Sequence, residues 1–73
     1  ELTDRSISYT NYKYPKPVAL VLGNEISGIS KEVLDECQAV VEIPMFGHKE
    51  SLNVEVSCGI LIYEIIRQYQ NAN

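Results

Sequence analysis

The sequence predicts an α/β domain with a parallel sheet. Three observations predict it. Residues 18–22 form a continuous apolar run of strand length without alternation, the pattern of a strand covered on both faces. Strand-like and helix-like segments then alternate to the end of the chain, the order that builds parallel sheets. The last segment is a long helix with apolar residues on two sides, and such a helix needs cover on two sides.

Each element follows from local chemistry. Residues 1–17 are polar and tyrosine-rich, and Pro15 and Pro17 hold what precedes them in extended geometry, so this segment reads as a loop or an extended lead-in. The buried strand over 18–22 ends at Gly23. Ser30 is a good N-cap, and Glu32 lies in the first turn, where the helix dipole favours an anion. A short helix over 31–37 follows, with Val33, Leu34 and Cys37 on one face. Residues 39–43 read as a second strand, stopped by Pro44. The final helix spans about 53–69. Val54, Cys58, Leu61, Ile62, Ile65, Ile66 and Tyr69 share its main face, and Val56, Ile60 and Tyr63 form a second ridge beside Gly59. A glycine costs about 1 kcal/mol of helix propensity relative to alanine, so Gly59 points to a close backbone approach there.

A chain of 73 residues makes one small domain. At this size roughly 60% of the unfolded surface is buried, which is marginal without support. The chain begins at Glu1 and is expected to be part of a longer protein. Two cysteines, Cys37 and Cys58, form neither a CxxC nor a dense framework, and this points to a reducing, cytoplasmic setting. No apolar run is long enough to span a bilayer. The formal charge of −4 is a poor footprint for nucleic acid, and the six basic residues are scattered. Any RNA-facing basic surface is therefore expected elsewhere, in another segment or a second subunit.

Two turns carry the chemistry. The stretch from Leu20 through Gly23, Glu25 and Gly28 to Ser30 is a strand end, a glycine loop and a helix start. The stretch from Ile43 through Pro44 and Gly47 to Ser51, Leu52 and Asn53 has the same character. Strand ends and helix starts free backbone groups that a small polar ligand can use. Two such turns in one short chain point to one ligand held between two loops. Gly23 and Gly28 have the outer spacing of a P-loop, but Ile29 stands where its lysine belongs, so nucleotide hydrolysis is disfavoured. Cys37, Cys58 and His48 match no zinc spacing, and no metal is expected. Ser51 and Asn53 both suit a helix cap. A helix needs one cap, so the residue types leave the cap and ligand roles open between them.

Taken together, these residues resemble the SpoU (TrmH) family of RNA ribose 2′-O-methyltransferases, within the SPOUT superfamily. The segment 20–25 with Gly28 resembles the family's second motif. Ile43, Pro44, Met45 and Gly47, then Ser51, Leu52, Asn53 and Val54, then Gly59, Ile60, Tyr63 and Glu64, resemble its third. The resemblance covers essentially the whole chain, residues 1–73, with 1–17 as lead-in and 18–73 as the knot and cofactor region. It implies the C-terminal half of a SPOUT trefoil-knot fold, in which the final helix passes through a loop, an exception to the rule against threading. It implies S-adenosyl-L-methionine as cofactor, held by backbone groups of Gly23, Ile43 and Leu52. It implies Glu25, Ser51 and Asn53 on the catalytic side, tRNA or rRNA as substrate, and a homodimer whose active sites draw on both subunits. The family's first motif, with its Asn and Arg, has no match here, since Arg5 and Arg67 stand in other contexts. The isolated chain is therefore expected to be inactive. The alternative is a non-catalytic knot-fold module kept for dimerisation or cofactor binding.

Overall fold

A computed structural model describes residues 5–23, 28–46 and 53–72. The elements run β1 (Ser6–Ser8), α1 (Lys31–Glu36), β2 (Val40–Glu42) and α2 (Val54–Asn71). The strands β1 and β2 pair in parallel, with Ser6 opposite Val40, Ile7 opposite Val41 and Ser8 opposite Glu42. The ladder continues one step through Tyr9 N–H to the Glu42 carbonyl at 2.8 Å, and Ser6 Oγ donates to Glu42 Oε1 at 3.0 Å. The chain is thus a small α/β unit with parallel strands, as the alternation predicts.

One strand lies elsewhere than expected. The run 18–22 carries no ladder among the described residues, and Val21 and Leu22 are 49% and 37% exposed. The partner of β2 is instead drawn from the lead-in. An apolar run records that a strand wants cover on its faces, not which edge it bonds. A short parallel strand forms wherever a ladder partner is held in register.

The helices start where their caps place them. Ser30 caps α1 through its side-chain oxygen, which accepts from Val33 N–H at 3.3 Å. Asn53 caps α2, its Oδ1 accepting from Glu55 N–H at 2.8 Å and Val56 N–H at 3.4 Å. The described core is small: Tyr14, Val40, Leu61 and Ile65. Leu61 and Ile65 confirm the main face of α2, but Ile62 and Ile66, expected on that face, are 44% and 47% exposed. One strand pair and one lead-in are too narrow to cover a stripe that wide. The expected close approach at Gly59 is also absent within the described residues: a Cβ there would meet nothing within 4 Å.

The lead-in is not a loose strap. Gln68 of α2 takes hold of its backbone, with Nε2 donating to the Tyr12 carbonyl at 2.9 Å and Oε1 accepting from Tyr14 N–H at 3.1 Å. Tyr14 Oη donates to the Tyr9 carbonyl at 2.8 Å, and Tyr69 Oη donates to the Pro15 carbonyl. The Lys16 ammonium sits 5.1 Å from the centre of the Tyr69 ring, a cation–π distance. Arg5, at the start of the described lead-in, donates to the Leu34 carbonyl in the last turn of α1.

Candidate cofactor-binding site

Among the described residues, the candidate site consists of chain turns. At the first turn the backbones of Gly23 and Gly28 pack directly on one another. A Cβ on Gly23 would lie 2.8 Å from the Gly28 carbonyl oxygen and 2.7 Å from Ile29 N, and closer still to the Gly28 carbonyl carbon. Real Cβ atoms do not approach backbone this closely, so position 23 has room only for hydrogen. Gly28 has φ of +67°, the left-handed region where a side chain is strained and glycine is not. The chain then passes through Ile29 to Ser30 and into α1. Two glycines thus have two separate physical reasons: one for close approach, one for backbone hand.

The second turn begins at Ile43, directly after β2. Ile43 is half-buried, Pro44 exposed, and Phe46 stands 92% exposed. Pro44 has no N–H to extend the ladder, which is why β2 stops at Glu42. At the far side of this turn Asn53 opens α2. Its side-chain oxygen is occupied in the cap, and its carbonyl accepts from Ser57 N–H at 2.9 Å. The cap role left open between Ser51 and Asn53 therefore falls to Asn53. Of the six expected site residues, Gly23 follows the unpaired 18–22 run, Ile43 follows β2 and Asn53 stands at the start of α2. Glu25, Ser51 and Leu52 lie outside the described residues, as does His48.

The one strongly perturbed carboxylate lies away from these turns. Glu64 is 7% exposed in the middle of α2. Arg67 grips it with two hydrogen bonds, 2.8 Å and 2.7 Å, and Gln68 Nε2 donates to it at 2.8 Å. These donors hold its pKa down to about 2, the Arg67 hydrogen bonds contributing most. Glu64 therefore stays ionised and accepts hydrogen bonds; it is not a proton shuttle. Burial, assisted by the Glu64 charge, pushes Tyr14 up to about 12, which keeps its hydroxyl a donor. Sequence reasoning read Glu64, Arg67 and Gln68 as polar strips. Their i, i+3 and i, i+4 spacing was the available signal that the three act together. Among the described residues no group of three His, Cys, Asp or Glu is placed to hold a metal, and no helix is long and apolar enough to cross a membrane.

A small α/β unit with parallel strands and two backbone turns, one after the 18–22 run and one between β2 and α2, belongs to the class of α/β folds that carry their sites on loops at the ends of the sheet. Comparison with known proteins gives the class its family. Residues 1–63 match the SpoU rRNA Methylase family, and the chain belongs to it. It is 42% identical over 67 residues to the tRNA (guanosine(18)-2′-O)-methyltransferase of Aquifex aeolicus, covering 92% of this chain and 32% of that protein. The Escherichia coli K12 protein of the same name is 37% identical over 71 residues, covering 97% of this chain and 31% of the relative. Among solved structures, the A. aeolicus TrmH/SpoU tRNA modifying enzyme superposes with a TM-score of 0.82 at 40% identity, over 93% of this chain and 34% of that one. The chain thus spans about a third of the length of the relatives it matches.

Proposed function

We propose that this chain is the cofactor-binding, C-terminal part of an S-adenosyl-L-methionine-dependent RNA ribose 2′-O-methyltransferase acting on tRNA or rRNA. The observation that carries the reading is the Gly23–Gly28 contact. It is a close approach of two backbone segments that leaves no side chain at position 23, at the turn where the family resemblance implies the cofactor. The fit is chemical as well as spatial: a turn that presents bare backbone offers N–H and C=O groups to a nucleoside edge without side chains in the way. When bound, the cofactor supplies a methyl group on a positively charged sulfur, already activated for attack by a ribose oxygen.

The chain's own residues then have limited tasks. Backbone groups of Gly23, Ile43 and Leu52 hold the adenine end. Ser51 and Asn53 orient the ribose hydroxyl or the polar end of the donor, so that the attacking oxygen is held in line. Glu25 fixes the catalytic side and pairs with the first-motif Arg, which accepts the task of assisting proton removal from outside this chain. The net charge of −4 agrees with an RNA-binding surface supplied by other segments or by a second subunit. The fold is the trefoil knot of the SPOUT enzymes, with α2 passing through the loop after the 18–22 run, and the setting is cytoplasmic. The test is methyl transfer to RNA by the full-length protein that carries this chain, with the ribose 2′-oxygen as the site of the new methyl group.

The proposal includes a homodimer with α2 at or beside the two-fold interface. Its support is the uncovered second ridge. On that ridge Val56 is 51% and Tyr63 79% exposed, Ile66 of the neighbouring face is 47% exposed, and among the described residues nothing approaches Gly59. Tyr63 and Ile66 border an open groove of about 650 Å³ with Tyr9, Ile60, Arg67 and Gln70 along its walls. Leaving such side chains in water forgoes roughly 1.5–3 kcal/mol for each large one otherwise buried. Ile60→Asp is expected to convert the full-length protein from dimer to monomer in sedimentation, while Glu36→Lys on exposed α1 leaves it dimeric. A monomeric wild type, or a dimer indifferent to Ile60→Asp, contradicts this arrangement.

A further inference from the structure

We infer that Gln68 is a positioning residue for the donor site: its side-chain amide stands in for a missing strand partner and sets the approach of the 18–23 run relative to α2. The inference rests on the donor-site reading above and deepens it. In a parallel ladder one residue bonds the C=O and the N–H that flank a single residue on the neighbouring strand. Gln68 does this with its side chain. It takes the Tyr12 carbonyl and the Tyr14 N–H, the pair flanking Lys13, at 2.9 Å and 3.1 Å.

Glu64 fixes the sense of that amide. Its Oε2 accepts from Gln68 Nε2 at 2.8 Å and from Arg67 Nη2 at 2.7 Å. The nitrogen of Gln68 is therefore the end that faces both Glu64 and the Tyr12 carbonyl, and its two N–H groups are both used. Tyr69, one residue on, holds the Pro15 carbonyl, and Lys16 lies over the Tyr69 ring. The lead-in is thus tied at residues 12–16 to the last turns of α2. The run that follows carries no ladder of its own among the described residues, and this clasp ties the chain just upstream of it. The same helix carries Asn53 at its other end, fifteen residues and about 22 Å away along a rigid axis. One helix thereby fixes both the entry to the first turn and the exit from the second. A loosened clasp shifts Gly23 relative to Asn53 without touching either.

The test uses the full-length protein and S-adenosylmethionine as the probe. Gln68→Glu keeps the shape of the side chain. Its ionised form has no donor for the Tyr12 carbonyl and places a second charge beside Glu64; its protonated form regains a donor. Gln68 meets Glu64 from α2, itself paired with Arg67, and Tyr12 and Tyr14 from the lead-in. At pH 8 the variant should raise the KM for the methyl donor about 10-fold, with kcat at saturating donor within about two-fold of wild type. Lowering the pH to about 5.5 should bring the variant-to-wild-type KM ratio back towards unity, which a lost structural contact would not do. Tyr69→Phe, which removes only the neighbouring hydroxyl, should raise the donor KM about two- to five-fold in the same direction. Variants that melt earlier but keep the wild-type donor KM at every pH overturn the inference. A wild-type protein that binds no donor overturns the donor-site reading, and this inference with it; the two failures are read from different proteins.

Discussion

Gly23→Ala in the full-length protein will abolish measurable donor binding or weaken it by at least about 100-fold, the scale on which a displacement of 1 Å is felt at a positioned site. The reason is geometric. The added carbon would lie 2.7 Å from Ile29 N and 2.8 Å from the Gly28 oxygen, and both are backbone, which cannot swing aside as a flexible side chain can. One of the two strands of chain must move. The turn therefore opens at the place where the donor's adenine is proposed to lie. Calorimetry with S-adenosylmethionine measures the effect, and a thermal melt on the same sample separates it from unfolding. An alanine variant that binds the donor within about three-fold of wild type would show that the Gly23–Gly28 contact belongs to the fold alone.

The second large effect is at Asn53, where two roles are separable. The side-chain oxygen caps α2 at 2.8 Å and 3.4 Å from two backbone N–H groups. Losing that cap costs about 1 kcal/mol. Aspartate caps as well as asparagine does, so Asn53→Asp should hold stability near wild type. It replaces the amide nitrogen with a charged oxygen, however, and so removes the group proposed to orient the ribose hydroxyl. The expected outcome is a turnover lowered by at least about 100-fold in Asn53→Asp with the melting temperature kept, and both lowered in Asn53→Ala. If Asn53 only caps the helix, the aspartate variant will turn over like wild type, and alanine will lose stability alone.

What was legible in the sequence was local. Ser30 and Glu32 marked the start of α1, Pro44 the end of β2, and the pair Ser51 and Asn53 the start of α2 without choosing between them, because caps and prolines act on their own neighbours. The family resemblance was legible for a related reason, since its motifs are short runs in fixed order. The ladder was not. Residues 18–22 advertise a strand by composition, while Ser6, Ile7 and Ser8 advertise little, yet it is the latter that pair with β2. Strand pairing is a long-range choice of edge, and composition reports only faces. The clasp was hidden for the same reason: Gln68 reaches Tyr14 and Tyr12 across 54 and 56 residues of chain. The breadth of α2's apolar surface was visible, but the assignment of Ile62 and Ile66 to the covered face assumed a sheet wider than the two described strands provide. At the site, Gly23 was legible as a turn; that its hydrogen is the only substituent that fits required the position of Gly28.

The most direct measurement incubates the full-length protein with methyl-labelled S-adenosylmethionine and unmodified tRNA and rRNA transcripts, digests the RNA to nucleosides and locates the label by mass spectrometry. The account predicts label on the ribose 2′-oxygen of an RNA nucleoside, lost in Gly23→Ala. Label on a base, or no transfer by a folded protein that also fails to bind the donor, would contradict it.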